Sequence, residues 1–488
     1  MDRRRVVALG GLAAAGATVL SSAGAAAGAA DRTERSHREH RHGGADAGRG
    51  GAAAVEPFGV ALPIPPVLRP VYVGGDADLY QLPVRAGTTE IVPGVATPVL
   101  GYQGRFVGPT IRARRGRAVA LQVTNQLAHP TNVHLHGGFT PAAQDGHPMD
   151  AINPGATRTY AYPNLQQAAT LWYHDHSHHM EAEHIYRGLH GFYLISDPAE
   201  EALGLPSGRY DVPVLLRDAA VGADGSLVFD PANGGDRPIV LANGKPQPYL
   251  RVTARRYRFR LLNAALHRIF RLRLERGRMV QIGTDGGLLP APVVVDEVRL
   301  TPGERAEVVI DFAGEPVGAR LVLADTSGPV LAFDVAGVAP DDSRVPDRLV
   351  PMPPLPTATV TRDVTLSFDR SKLAFTVNGQ TFDAGRVDAR VVNGTTEIWR
   401  VTNADTQFRI DHDFHLHMVQ FRLLDRDGTP AAPAEAGWKD TVHVPPGSTV
   451  RVQATFSGFT GRYVYHCHFP EHSSAGMMAQ LEIVNRAT

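Results

Sequence analysis

Cysteine is nearly absent. Cys467 is the single cysteine in 488 residues, so no disulfide can form within the chain. A lone thiol is either buried and inert or chemically engaged, and its neighbours decide which. Excess charge is absent too. Lys+Arg and Asp+Glu both number 49, which removes the electrostatic reason for nucleic acid or an anionic membrane as partner. Beyond the N-terminus there is no apolar run long enough to span a bilayer, so stable membrane insertion is not expected. Long helical periods are scarce.

The N-terminus reads as a targeting signal. Arg3-Arg4-Arg5 precedes an uncharged, Ala- and Gly-rich stretch from Val6 to Ala30. So much Ala and Gly makes a poor spanning helix. Ala23-Gly24-Ala25 and Ala27-Gly28-Ala29 both fit the small-residue cleavage rule. Residues 1–30 are therefore expected to be a twin-arginine-type signal, removed on export to an extracytoplasmic or secreted location. Residues 31–51 are polar, rich in Arg, Gly and His, and read as a disordered leader; His37, His40 and His42 fit a solvated linker, with metal scavenging as the alternative.

From about Ala52 onward, short alternating apolar stretches are broken by Gly, Pro and Asn, a β pattern. One stretch recurs: Leu121-Gln122-Val123-Thr124-Asn125, Phe259-Arg260-Leu261-Leu262-Asn263 and Trp399-Arg400-Val401-Thr402-Asn403. A Pro-Gly turn follows each copy, at Pro154-Gly155, Pro302-Gly303 and Pro446-Gly447. Three copies at a domain-sized period predict three related β-sandwich domains, over 52–197, 210–336 and 357–488. The linkers run from Asp197 to Arg209 and from Gly337 to the Pro-rich end at Pro356.

Histidine is patterned. Four His-x-His pairs occur, His134/His136, His174/His176, His415/His417 and His466/His468. Residues two apart on a strand share a face, so each pair offers two imidazoles to one side. Two pairs fall in the first repeat and two in the third, while the second repeat holds only His267. Eight inward imidazoles cannot be buried without partners, and metal ions satisfy them. His178, His179, His184 and His190 show no such pattern and read as ordinary histidines.

Cys467 lies between His466 and His468, so on a strand its side chain points to the opposite face. His472 and Met477, five and ten residues on, can fold back to it. His412, at an odd offset from His415, can supply a second imidazole on that same face. Two His, one Cys and a weak Met ligand make a blue-copper electron-transfer site. Zinc has no use for the thioether and no need of eight further imidazoles next door.

These runs identify the chain as resembling the multicopper oxidases, in the three-domain bacterial laccase-like branch related to spore-coat laccases and bilirubin oxidases. The matching runs are His134-Leu135-His136-Gly137-Gly138, Trp172-Tyr173-His174-Asp175-His176, His412-Asp413-Phe414-His415-Leu416-His417, and His466 through Met477. The resemblance implies an all-β chain of three cupredoxin-like Greek-key β-sandwich domains in tandem, with four copper ions. Type 1 copper would have His412, Cys467, His472 and axial Met477, and type 2 copper His134 and His415. The type 3 pair would have His136, His174 and His468 on one ion and His176, His417 and His466 on the other. The middle domain would carry no copper ligand, serving as a spacer that helps hold the outer two in register.

The implied activity is one-electron oxidation of a phenol-like, bilirubin-like or metal-ion substrate, coupled to four-electron reduction of O2 to water by a monomer. Electrons would pass through the Cys467 sulfur to His466 and His468. Asp145, eleven residues after His134, lies where the resembling laccases keep an acid beside the type 2 copper, and would supply protons; its other reading is an Asp-Gly turn. The chain departs from the family pattern in three ways. Ser473 stands where spore-coat laccases have an acid, Ile410 where bilirubin oxidases have a Trp, and the 8 Met leave no Met-rich insertion of a dedicated cuprous oxidase. The alternatives are a Mn, Fe or Cu oxidase of the same family and a non-catalytic exported cupredoxin scaffold, which would lack ligands. A one-site electron carrier or a two-domain nitrite-reducing enzyme would not need four His-x-His pairs.

Overall fold

Each of the three repeated strands ends in a buried Asn that closes the loop after it. The strands are Ala118–Asn125, Arg256–Asn263 and Thr395–Asn403. Asn125 Nδ2 donates to the carbonyls of His129 and Ile152 at 2.7 and 2.8 Å, and its Oδ1 accepts from Leu127 N at 2.9 Å. Asn263 does the same with Arg268, Leu300 and Ala265. Asn403 does so with Ile410, Val444 and Asp405. Only a carboxamide offers donors and an acceptor together at this length, which is why the repeat keeps Asn. The Pro-Gly turns come back to the same residues. Gly155, Gly303 and Gly447 donate their backbone N–H to the carbonyls of Asn125, Asn263 and Asn403 at 2.8, 2.8 and 3.0 Å. All three glycines have φ near +80° (76°, 82° and 78°), a left-handed conformation that glycine adopts without strain.

The structure is a computed structural model and describes residues 56–231 and 237–486. The signal expected over 1–30, the leader over 31–51 and the first few residues of the 52–197 unit lie outside the described residues. Each Asn-ended strand runs parallel to an incoming strand, Ala77–Glu90, Asp211–Ala219 or Val360–Asp369. It runs antiparallel to the strand after its Pro-Gly turn, Thr157–Tyr162, Arg305–Asp311 or Thr449–Phe456. The described strands form six sheets, of five and four strands in the first unit, seven and five in the second, and six and five in the third. Each pair encloses its own core. Val119, Leu121 and Val123 face inward in the first unit, Phe259 and Leu261 in the second, and Trp399 and Val401 in the third. Fully burying one such aliphatic or aromatic side chain contributes about 1.5–3 kcal/mol, so each sandwich has its own driving force. The chain is all-β, three cupredoxin-like sandwiches, with α-helix among the described residues confined to Glu181–Arg187, Pro198–Glu201 and Pro470–Ser474.

The linker beginning at Asp197 forms a short helix, with Asp197 Oδ1 capping Ala199 N at 2.7 Å. Residues 339–359 carry no regular element. Strand pairing then places the histidines. His134–His136 pairs antiparallel with Ala169–His174, setting His134 opposite His174 and His136 opposite Trp172. His412–Leu416 pairs antiparallel with Gly461–His466, setting His415 opposite His466.

Candidate metal centre

The eight paired histidines, at most 1% exposed, converge in one place. Rings from the first and third repeats stack, His134 on His417 at 3.9 Å and His136 on His415 at 3.8 Å between centroids. His136 and His468 lie 4.6 Å apart, and His176 and His466 4.9 Å apart.

The outward nitrogens are spoken for. Nδ1 of His134, His174, His415 and His466 each faces a backbone carbonyl, of Asp145, Asp175, Asp440 and Cys467, at 2.6–3.0 Å. His417 Nδ1 faces Asp145 Oδ2 at 2.7 Å. A carbonyl can only accept, so each Nδ1 bound to one carries the proton, and the lone pair on Nε2 turns inward. Nε2 of His134, His174 and His415, and both nitrogens of His468, have no hydrogen-bond partner. Nε2 of His417 and of His466 face each other at 3.1 Å. Burial, reinforced by the neighbouring imidazoles, pushes the histidines well below their ordinary pKa, so they cannot hold protons in place of a cation. Converging lone pairs with nothing to accept are the donor set of a metal centre.

Ligand atoms lie within 4.8 Å of one another in four groups here: His136/His174/His468, His176/His417/His466, His134/His136/His415 and His134/Asp145/His417. A fifth group, His412/Cys467/His472, lies on the other face of the His466–His468 segment. Cys467 Sγ is 3.6 Å from His412 Nδ1 and 3.5 Å from His472 Nδ1, and these two nitrogens are 3.2 Å apart. His412 Nε2 is held by Asp405 Oδ2 at 2.7 Å, and Phe375 stacks on His472 at 4.0 Å. Burial pushes the Cys467 thiol well above its ordinary pKa, so a bound cation is needed to make it a thiolate. Met477 is buried in the same core, its carbonyl accepting from Cys467 N at 3.2 Å and its N–H donating to His472 O at 2.9 Å. The two His, one thiolate and soft-donor set fits copper.

All twelve residues expected to bind copper thus lie in these two clusters or, for Met477, in the core against one of them. The four unpatterned histidines join neither. His184 pairs with Asp175 at 3.1 Å, His190 Nε2 lies 3.1 Å from Arg217, and the His178 and His179 rings lie tilted against each other with centroids 3.7 Å apart. Asp145 sits at a turn and against the cluster. It caps the 3-10 turn Ala142–Gln144, and its carboxyl is buried against His417 with Oδ1 unpaired. Burial raises its pKa well above the ordinary carboxyl range.

Sequence reasoning missed Glu181, Asp440 and Arg305. Glu181 Oε2 accepts from Ser473 Oγ at 2.6 Å and lies 3.4 Å from His176 Nδ1. A carboxylate from the first unit thus lies against Ser473. Asp440 and Arg305 brace His136 across about 300 and 170 positions of chain, a separation without spacing signal.

Family models described as multicopper oxidase match residues 83–200, 232–329 and 352–487. The laccase of Bacillus subtilis is 33% identical over 88% of this chain and 99% of its own. The bilirubin oxidase of Albifimbria verrucaria is 36% identical over 86% of this chain and 80% of its own. The solved structure of a laccase from Pediococcus acidilactici superposes with a TM-score of 0.84 at 32% identity, covering 89% of this chain and 96% of that one. Identity at this level along nearly the whole of a copper oxidase, on a chain with donor clusters that fit copper, has one reading: this chain belongs to the multicopper oxidases and is a laccase-like, copper-dependent enzyme of that family.

Proposed function

We propose that the protein oxidises a phenolic or related reducing substrate one electron at a time and passes the electrons to O2, which leaves as water. His412, Cys467, His472 and Met477 would hold a type 1 copper. His134 and His415 would hold type 2 copper, with His136, His174, His468 and His176, His417, His466 each holding one type 3 ion, four ions in all. Bound copper would supply the one-electron redox chemistry at both clusters. One observation carries this reading. His466 and His468 point into the eight-histidine cluster, while Cys467 between them turns its sulfur to His412 and His472. Three consecutive residues thus span both clusters by covalent bonds.

The protein's own residues do the rest. Carbonyls and Asp145 orient the imidazoles, and near-total burial excludes bulk water from them. Asp145 delivers protons. Its carboxyl is 2.7 Å from His417 Nδ1, its other oxygen is unpaired, and burial keeps a proton on it at higher pH than an exposed Asp would. Phe375 and Phe469 stack on His472 and fix the ring at the substrate-facing cluster. In this reading the chain is exported by the segment over 1–30 and works as a monomer. The support is Arg3-Arg4-Arg5 ahead of the uncharged run, and the complete ligand set within one chain.

Oxygen uptake by copper-loaded protein, with phenols, bilirubin, Mn(II), Fe(II) and Cu(I) offered in turn, tests the proposal. Phenols should support turnover that is lost in Cys467→Ser. Turnover with metal ions alone would replace the phenolic reading by the metal-oxidase one.

A further inference from the structure

Among the described residues the middle unit contributes none to either donor cluster, yet it reaches the larger one. Arg305, the first residue of the strand Arg305–Asp311, is fully buried, and its five N–H donors all have acceptors. Nε donates to Thr170 O at 2.8 Å. Nη1 donates to Gly303 O at 3.0 Å and Asp440 Oδ1 at 2.7 Å. Nη2 donates to Asp285 O at 2.9 Å and Asp440 Oδ2 at 2.6 Å. The acceptors come from all three units, and Thr170 lies on the strand that ends at His174. A bidentate guanidinium fixes a carboxylate in plane and direction, as a lysine cannot.

The carboxylate so fixed faces a ligand. Asp440 Oδ1 is 2.9 Å from His136 Nε2, and the Asp440 carbonyl is 2.8 Å from His415 Nδ1. His136 is thereby turned the opposite way from its neighbours. Five of the other cluster histidines bind outward through Nδ1, whereas His136 binds outward through Nε2 and leaves Nδ1 unpaired within the cluster. Close packing on the same side leaves the ring little room. A Cβ on Gly303 would lie 3.1 Å from His136 Cε1 and 2.9 Å from His468 Nδ1.

We propose that Arg305 is a positioning residue for the copper cluster: by clamping Asp440 it selects the Nε2–H tautomer of His136 and presents the Nδ1 lone pair to the metal. The middle unit is then more than a spacer, because it sets which nitrogen of a first-unit histidine faces the ions. The inference rests on the reading of His136 as a copper ligand.

Three forms test it: wild type, Arg305→Lys, and the charge-neutral double variant Arg305→Met with Asp440→Leu, which leaves no unpaired buried carboxylate at position 440. Each is loaded with copper and examined for blue absorption, total copper and the share of copper visible by EPR. The reduced, diamagnetic holoenzyme, labelled with 15N-histidine, reports the His136 tautomer. We expect both variants to keep the blue absorption of the Cys467 site. Their EPR-visible share should rise, or their total copper fall, as the type 3 pair loses a ligand, and wild-type His136 should be protonated on Nε2. Wild-type copper content and EPR share in either variant would overturn the proposal, as would Nδ1–H on His136 in the wild type, which needs no variant to fold. A wild type that binds no EPR-silent copper would instead overturn the ligand reading on which the proposal rests.

Discussion

Ser473 Oγ donates to Glu181 Oε2 at 2.6 Å, tying the helix Pro470–Ser474 of the third unit to the helix Glu181–Arg187 of the first. Burial raises the pKa of Glu181, and its Oε1 has no partner. Ser473→Glu would place a second carboxyl against the first in a buried site, costing about 2–4 kcal/mol of stability. Glu181→Ala in the same chain should recover most of that loss, since the carboxyl count returns to one. A carboxyl raised by burial contributes stability at low pH that is lost as pH rises through its folded value. The Ser473→Glu penalty should therefore be larger at pH 8 than at pH 5. Urea unfolding of the four combinations measures the coupling, and simple additivity would show that the two positions do not share a site.

The metal-free protein should be acid-labile. Burial lowers His174 to about 4 and His176 and His466 to about 3. Above the unfolded value of 6.5 these groups are neutral in both states and cost nothing. As pH falls from 6.5 toward those folded values, the unfolded chain takes up protons that the folded chain refuses. Each such histidine then removes up to about 1.4 kcal/mol per pH unit. The urea midpoint of the metal-free protein should drop steeply between pH 6.5 and about pH 4. A flat profile would mean that the cluster is solvated when empty.

Asp145→Asn keeps the shape of the side chain and the turn but cannot deliver a proton. Copper content and reduction of the Cys467 site should be normal, with reoxidation by O2 slower by about 100-fold. Stopped-flow reoxidation at the wild-type rate would reduce Asp145 to its structural roles.

The repeated asparagines separate stability from colour. Asn263→Ala orphans two loop carbonyls and an N–H, and should cost about 2–4 kcal/mol with the blue absorption unchanged. Asn403→Ala should cost as much and also shift the blue band, because Asn403 holds Asp405 N, and Asp405 holds His412 Nε2. Equal spectra in the two variants would contradict the link from Asn403 to the copper site.

Legibility in the sequence followed the range of the physics. The His-x-His pairs were readable because strand alternation puts i and i+2 on one face, and the odd offset of His412 sets it on the face away from His415. The three Asn-ended strands were readable as a repeat, although their clamp on the following loop was not. Asp440, Arg305 and Glu181 were invisible for a different reason. Each acts across an interface between units, and a one-dimensional pattern holds no record of which loop meets which. The absence of an acid at Ser473 was visible, but the contact from Glu181 required two helices to be packed together.

In the proposed function, electrons from a reducing substrate leave this protein on O2 as water. The direct measurement follows O2 uptake and oxidised phenol together, with a peroxide assay, on copper-loaded protein beside Cys467→Ser. We expect four one-electron oxidations for each O2 consumed, no accumulating peroxide, and neither reaction in the variant. Peroxide as the product, or undiminished uptake by Cys467→Ser, would contradict it.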